Sequence, residues 1–199
     1  AGKAATRIPH FNSEAILVWS LDPEVLAAAG VHGFPHVYTF NETTQTWEYD
    51  PVANTWQTGR AAIPVGMSGS GTTSVGQYVY LAGSSNGGVG STLHYRYDVV
   101  NNTWATMAAV PVPVYVPAMA TWANKNYLMG GGNPFRAAPA SGKGNTAPAS
   151  SYSSTYIYDI ATNSWTIGPA LNTPHAYTSG TTIGNRLLVV AGQTGGTNI

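Results

Sequence analysis

An eight-residue motif occurs three times in this chain and limits its fold more than any other feature. The motif reads YDPVANTW at 49–56, YDVVNNTW at 97–104 and YDIATNSW at 158–165. Each copy has Tyr-Asp first, Asn sixth and Trp eighth. Repetition at this scale favours a series of equivalent structural units over one irregular core.

The spacing of the motif gives the length of the unit. The three copies start at Tyr49, Tyr97 and Tyr158, so the second interval is longer than the first. A second marker, an apolar run that ends in glycine, shows the same two intervals, with its ends at Gly83, Gly131 and Gly192. We infer a repeat of about 48 residues with an insertion of about 13 in one copy. The polar, proline-containing stretch 133–151 is predicted to be this insertion and to form a long loop.

Each repeat also shows the patterns of β-strands. Two apolar runs precede each glycine marker, and hairpin turns are predicted between them at Gly76-Gln77, Asn124-Lys125 and Asn185-Arg186. The motif tyrosines alternate with an aromatic residue two positions earlier, which indicates a half-buried strand. The residues on the other face of these strands are predicted to be less constrained or exposed: Glu48, His94, Arg96 and Ile157.

The motif itself is predicted to build a turn between two strands. Its Asp would accept hydrogen bonds from the backbone of the turn, and its Asn would adopt the left-handed conformation. Its Trp would start the return strand and pack on the Tyr across the hairpin or on the next unit. We therefore interpret these residues as structural: Tyr49, Asp50, Asn54, Trp56, Tyr97, Asp98, Asn102, Trp104, Tyr158, Asp159, Asn163 and Trp165.

This unit, with four strand signals, a glycine after the second strand and a Tyr-turn-Trp pair, resembles the kelch repeat. The resemblance covers 14–199 and implies an all-β fold, a kelch-type β-propeller with three to four blades of four antiparallel strands, as part of a larger propeller. It is specific for blades at 66–113 and 114–174. The whole chain is expected to be one partial propeller, with an atypical first blade carrying a short helix at 1–65 and half a blade at 175–199.

The first copy, AILVWS followed by EYDPVANTW, is also distantly similar to the propeller domain of galactose-oxidase-like copper radical enzymes. That resemblance implies a tyrosine cross-linked to a cysteine, with further Tyr and His ligands. The chain has no cysteine, and Val116 stands about where those enzymes would carry one. A copper radical oxidase is therefore not predicted from this chain.

Composition narrows the classes of partner. Only 8% of residues are charged and the net charge is zero, so no basic surface is available for nucleic acid. No apolar run is long enough to span a bilayer. Low charge together with many Ser, Thr, Asn and Gly residues resembles extracellular or cell-surface proteins, and Asn41 and Asn101 match the glycan acceptor pattern.

The sequence contains few candidate residues for acid-base catalysis or for metal binding. After residue 50 the only carboxylates are Asp98 and Asp159, both assigned to the motif turn, which argues against a glycosidase. The earlier acids, Glu48 among them, are interpreted as caps, turns and solvated strand faces. The His32 and His36 pair is interrupted by Gly and Pro, so it does not predict a helical metal site. We expect no metal and no cofactor.

Four residues in predicted loops are candidates for binding a ligand: Tyr115, Phe135, His175 and Tyr177. They lie in connections where kelch propellers commonly carry ligand-facing residues, whereas Trp122 is predicted to pack between blades. The sequence favours a secreted or cell-surface interaction module for a protein or glycan. Two alternatives stay open: the propeller of an oxidase or sugar-modifying enzyme with catalytic residues elsewhere, and a structural subunit of a surface assembly.

Overall fold

The protein is built from short antiparallel strands, as seen in a computed structural model that describes residues 37–40, 46–86, 89–132, 151–194 and 197–198. None of these residues is helical, so within them nothing of the length and apolarity of a membrane-spanning helix occurs. The predicted short helix of the first blade lies outside the described residues. The strands are β1 (Val37–Phe40), β2 (Thr46–Asp50), β3 (Thr55–Arg60), β4 (Gly71–Val75), β5 (Tyr78–Ala82), β6 (Ser85–Asn86), β7 (Val89–Gly90), β8 (His94–Asp98), β9 (Thr103–Thr106), β10 (Ala118–Trp122), β11 (Lys125–Met129), β12 (Thr155–Asp159), β13 (Ser164–Gly168), β14 (Ser179–Ile183), β15 (Arg186–Val190), β16 (Gln193–Thr194) and β17 (Thr197–Asn198).

The strands form successive small sheets, which we call blades. The first blade is β1-β2-β3, the second is β4-β5-β8-β9 and the third is β10-β11-β12-β13, while β14 and β15 form a terminal hairpin. The innermost strands β4, β10 and β14 contact one another in that order. Side-chain hydrogen bonds reinforce this row, since Thr121 shares one with Thr73 at 2.8 Å and its carbonyl accepts another from Thr182 at 2.6 Å. The predicted fold class, part of a kelch-type propeller, is confirmed.

The two ends of a blade carry different connections. Because consecutive strands are antiparallel, the link from the second to the third strand and the link to the next blade leave from one end, here called the loop end. Within each blade the hairpin turn and the motif turn lie at the opposite end of the strands, called the turn end. The candidates Tyr115, His175 and Tyr177 belong to links between blades and so lie at the loop end.

The inner three strands of the second and third blades are mostly buried or half-buried on both faces, because each of these blades packs between two neighbours, whereas the outermost strands β9 and β13 are largely exposed. Three apolar clusters fill the junctions between the first and second blades, between the second and third, and beneath the terminal hairpin. Their fully buried members include Ile63, Val79, Leu81 and Tyr97 in the first, Tyr80, Val114, Leu128 and Tyr158 in the second, and Ala118, Ala120 and Met129 in the third.

The inner hairpins of successive blades align one position differently from the alignment predicted from the sequence. The hairpins span 71–82, 118–129 and 179–190. The interval between the first two hairpins is one residue shorter than the interval between the first two motifs, while the second intervals are equal. The insertion in the third blade is therefore one residue longer than the motif spacing indicates. The residue equivalent to Gly83 is Gly130, because each donates its N–H to the residue just before the third strand. Gly130 and Gly131 are adjacent and both have positive φ, 68° and 86°. The sequence alone therefore could not show which of the two is equivalent to Gly83. The hairpin turns accordingly fall at Gly76-Gln77, Ala123-Asn124 and Gly184-Asn185, and two of the three predicted turns were one position late.

Within each motif the aromatic residues and the asparagine form one compact unit. The Tyr and Trp rings lie 5.0, 4.9 and 5.1 Å apart in the three copies. The asparagines have φ of 53°, 53° and 51°, as predicted for the left-handed conformation. Each tyrosine hydroxyl donates to the Oδ1 of its asparagine. The motif therefore fixes the Asn and Trp side chains in a single relative orientation.

Those two side chains also bind the backbone of the preceding blade. Asn102 Oδ1 accepts a hydrogen bond from the N–H of Ala61 at 2.7 Å, and Trp104 Nε1 donates to the carbonyl of the same residue at 2.8 Å. The third blade holds Ala108 in the same way, through Asn163 at 2.8 Å and Trp165 at 2.9 Å. We call this arrangement the peptide clamp. It joins residues more than 40 positions apart and explains why the motif recurs once per blade.

The motif aspartates hold the turns, as predicted. Asp98 Oδ1 accepts the N–H groups of Val100 and Asn101, both at 3.0 Å. Burial alone would raise the pKa of Asp98, but hydrogen bonds from Asn101, Gln77 and Val100 lower it overall. Asp159 makes the same turn bonds, and its pKa is lowered mainly by the Lys125 side chain.

The prediction that the other face of the motif strands β2, β8 and β12 is exposed was wrong for β2 and β8. Glu48 is 3% exposed and pairs with Arg60, and His94 is 1% exposed. The reason is the stacking of blades, which buries a strand on both faces, whereas the alternation in the sequence suggested one buried face. Trp122, predicted to pack between blades, is instead 42% exposed at the turn end.

Candidate functional site

Two of the predicted ligand-binding residues meet at the loop end. The rings of Tyr115 and Tyr177 are 5.8 Å apart in an edge-to-face arrangement, and both side chains are half-buried. They come from consecutive inter-blade links. The residue equivalent to Tyr177 in the earlier link is Val116, and Tyr115 directly precedes it. Phe135 lies outside the described residues. We call the contact of Tyr115 with Tyr177 the tyrosine pair.

The backbone beneath the tyrosine pair forms a continuous hydrogen-bonded row. Gly69, Val116 and Tyr177 are equivalent residues, all in the left-handed region with φ of 61°, 50° and 57°. The N–H of Val116 donates to Gly69 O at 2.7 Å, and the N–H of Tyr177 donates to Val116 O at 3.1 Å. A β-branched residue rarely adopts this conformation, so the surrounding contacts must maintain it.

Gly69 is required by the position of Tyr115. A Cβ atom at residue 69 would lie 2.1 Å from the Tyr115 ring. The phenol ring therefore occupies the space that any other side chain at this residue would fill. We did not predict a role for Gly69 from the sequence, although Gly69 occupies in its inter-blade link the position that Val116 occupies in the next link.

The backbone of Tyr115 is tied to the ends of the long insertion. Tyr115 and Gly132 exchange two backbone hydrogen bonds, both 2.9 Å long. Gly132 also pairs with Ser151. Residues 133–150 between them lie outside the described part, but both of their attachment points are next to Tyr115. The segment predicted as a loop thus starts and ends beside the tyrosine pair.

His175 contributes mainly through its backbone. Its carbonyl accepts the N–H of Gly131 at 2.7 Å, and its N–H donates to Tyr152 O at 3.0 Å. Its imidazole is half-buried, with Nε2 3.4 Å from Thr173 Oγ1. The link that carries Tyr177 is therefore fixed on both sides by neighbouring chain segments.

Charged residues of the described part are unevenly divided between the two ends of the strands. Asp50, Asp98, Asp159, Lys125 and Arg186 end or begin strands at the turn end. Among the described residues, the charged side chain at the loop end is Arg60, which is paired with Glu48. The described residues contain no group of three or more His, Asp or Glu side chains that could hold a metal ion. The described residues of this end offer a neutral aromatic contact surface, and no set of acid, base and nucleophile occurs among them.

The predicted glycan site at Asn101 lies in a motif turn. Asn101 is exposed, and its side-chain nitrogen donates to Asp98 Oδ2 at 2.8 Å. A glycan would be attached through that same nitrogen. Asn41 lies outside the described residues, so neither acceptor pattern gains support.

Comparisons with known proteins identify the fold. No family model matches the chain. A Xenopus tropicalis protein named Kelch-like protein 25 is 27% identical over 158 residues, a match that covers 76% of this chain and 23% of that protein. The solved structure of YjhT matches with a TM-score of 0.64 at 20% identity, covering 78% of this chain and 47% of that one. The chain thus spans about a quarter of the length of the first protein and about half of the second.

Proposed function

We propose that this chain, a kelch-repeat β-propeller, is a protein-interaction module that binds its partner at the loop end through Tyr115 and Tyr177. The observation that carries the proposal is the contact between the two rings, 5.8 Å apart on consecutive links. Kelch propellers as a class serve as protein-interaction modules, and the motif residues are occupied in holding the blades together.

The chemistry of the tyrosine pair suits a protein interface. Tyrosine combines a large apolar ring with a hydroxyl, loses little conformational entropy on binding and is enriched among residues that dominate binding energy. The backbone hydrogen bonds of Val116 and Tyr177 hold both links before any partner arrives. A surface fixed in advance binds with a smaller entropic cost than a flexible one.

The low charge of the described loop end favours a partner segment that is itself largely uncharged. We further propose that this partner is met outside the cell, since the low charge and hydroxyl-rich composition of the chain suit that setting. A glycan carried by the partner is an alternative ligand, because aromatic rings also stack on sugars.

The experiment compares the full chain with a double variant, Tyr115→Ala/Tyr177→Ala, and with Trp122→Ala. Trp122 is an exposed aromatic residue at the turn end, so its removal controls for general loss of aromatic surface. Proteins captured by the full chain are purified, and their affinity for each variant is measured by titration. We expect at least about tenfold weaker binding by the double variant and unchanged binding by Trp122→Ala.

Equal affinity of all three proteins for every captured partner would contradict the proposal, and so would a loss confined to Trp122→Ala. Enzymatic removal of glycans from the partner separates the alternatives. If that treatment abolishes binding, the ligand is a glycan and the protein-partner proposal is wrong. Unfolding curves of the variants confirm that any lost affinity does not come from lost fold.

A further inference from the structure

His94 is a buried histidine at the junction between the second and third blades. Its side chain is 1% exposed, and Nδ1 lies 2.9 Å from the carbonyl oxygen of Ala108. Because a carbonyl can only accept, Nδ1 must carry a proton. In the neutral ring Nε2 then holds a lone pair, and this atom is buried with no hydrogen-bond partner among the described residues.

The ring lies where the two blades meet. Its centroid is 4.5 Å from that of Tyr158 and 5.1 Å from that of Trp165, both in the third blade, and 6.1 Å from that of Tyr80 in its own blade. Ala108, its hydrogen-bond acceptor, is the residue that Asn163 and Trp165 hold in the peptide clamp. His94 therefore contacts both the clamped residue and the aromatic rings of the clamping blade.

Among the residues that the structure describes, the groups around His94 give an imidazolium ion no counter-charge. The ionisable side chains that face it are Tyr80 from β5 and Tyr158 from β12. Arg96 and Asp98 follow on the same face of β8. Arg96 adds positive charge, and Asp98 is four positions away, about 13 Å along a strand, and bound in its turn. Trp165 and Ala108, from the other two packed segments, carry no charge.

Burial lowers the pKa of His94 to about 4, and the hydrogen bond to Ala108 offsets only part of the effect. The sign follows from the two states. The unfolded chain takes up a proton near the ordinary value of 6.5, while the folded form resists it. The contribution of the neutral ring to stability is complete above pH 6.5 and is lost as the pH falls from 6.5 towards 4.

The neighbouring junctions have no histidine at the equivalent position among the described residues, although the first blade holds the buried Glu48–Arg60 pair two residues further along the same strand face. The residues equivalent to His94 start β2 in the first blade and β12 in the third. They are Thr46 and Thr155, and both are buried, at 2% and 6% exposure. Threonine does not titrate in this range. Within the described residues, the clamp on Ala61 therefore serves as an internal comparison for the effect of the histidine.

We propose that His94 makes the junction between the second and third blades an acid-sensitive joint, which opens before the junction between the first and second blades when Nε2 takes up a proton. Protonation places an unpaired charge among Tyr80, Tyr158 and Trp165. The peptide clamp on Ala108 is then released, and the third blade separates locally from the second. The clamp on Ala61, which has Thr46 nearby in place of the histidine, stays closed.

The test measures hydrogen exchange in the full chain by NMR between pH 6.5 and 4, with rates corrected for the intrinsic pH dependence of exchange. The probes are the Ala108 N–H and the Trp165 indole N–H, against the Ala61 N–H and the Trp104 indole N–H. We expect protection at the first pair to fall by about tenfold per pH unit, the slope for uptake of one proton. Protection at the second pair should change less than about threefold.

Two variants complete the test. His94→Thr copies the neighbouring junctions and should abolish the extra fall, while His175→Thr should leave it in place. A parallel fall at both junctions of the unmodified protein would overturn the proposal, as would the same fall at Ala108 in folded His94→Thr. The comparison of the two junctions within the unmodified protein decides the matter even where His94→Thr does not fold.

Discussion

The indole N–H of Trp165 donates a 2.9 Å hydrogen bond to the carbonyl oxygen of Ala108, 57 residues earlier in the chain. The N–H of Ala108 in turn donates to Asn163 Oδ1, so one residue of the second blade is held by two side chains of the third. The same relationship between Ala61 and the pair Asn102 and Trp104 joins the first and second blades. Blade junctions in this protein therefore depend on a few repeated polar contacts as well as on apolar packing.

Replacement of Asn102 by glycine isolates the polar half of the clamp. Glycine keeps the left-handed backbone conformation but removes the acceptor for Ala61 N–H and for the buried Tyr97 hydroxyl. We expect a loss of about 1 to 3 kcal/mol in the free energy of unfolding, measured with urea. Asn124→Gly is the matched control, since Asn124 has φ of 57° in an exposed hairpin turn. A similar loss for both variants would show that the acceptor contributes nothing.

Truncation of Trp104 tests the apolar half. Its ring lies 4.9 Å from that of Tyr97, and its N–H reaches Ala61. We expect Trp104→Ala to lose about 3 kcal/mol or more of unfolding free energy, whereas Trp122→Ala, which removes an exposed ring, should lose less than about 1 kcal/mol. Thermal and urea unfolding measure both. A fully stable Trp104→Ala protein would rule out this residue as a structural anchor.

The tyrosine pair can be displaced without changing either tyrosine. Gly69→Ala places a methyl group where the Tyr115 ring lies, while Gly76→Ala, at φ of 54°, meets no atom within 4 Å. Both variants should lose about 1 kcal/mol from the unfavourable φ. Only Gly69→Ala should also shift the NMR signals of the Tyr177 ring, which is in edge contact with Tyr115. Unmoved Tyr177 signals would mean that the two rings do not depend on each other.

Removal of the Asp98 carboxylate should have an effect that depends on pH. The pKa of Asp98 is lowered in the folded protein, so its contribution is present above the ordinary value of 3.8 and is lost as the pH falls below it. We expect Asp98→Ser to be less stable than the unmodified protein at pH 7 by about 1 to 3 kcal/mol, with the difference shrinking below pH 3.8. A difference that is constant with pH would show that the ionised carboxylate is not what stabilises the turn.

Much of this fold could be predicted because its strongest signals are local. The conformation of Asn102 and the turn bonds of Asp98 follow from residue types at fixed spacing, so a single copy of the motif suffices to infer them. The contact of Trp165 with Ala108 could not be inferred, because a backbone acceptor leaves no mark on the sequence. The burial of His94 was missed for a related reason, since it depends on a second blade that covers the other face of its strand.

The candidate site was only partly accessible from the sequence. Tyr115 and Tyr177 stand in equivalent links of the repeat, so their presence at one end of the propeller could be anticipated. Their contact could not, because it depends on the space left by Gly69 and on the left-handed conformation of Val116, which a valine does not suggest. The roles of Phe135, His175 and the tyrosine pair in ligand binding stay predictions.

The peptide clamp recognises an N–H and a carbonyl, groups that every amino acid except proline provides. The clamp therefore places little restriction on the identity of the clamped residue, and a blade copied or exchanged by recombination would find the same two polar contacts at its new neighbour. Proline is the exception, and it stands at Pro169, directly after the residue that pairs with the start of the third strand of its blade. At Pro169 an asparagine of a following unit would find no N–H from which to accept a hydrogen bond. Of the three described blades, the third is therefore the one to which a following unit could be joined by only part of the clamp.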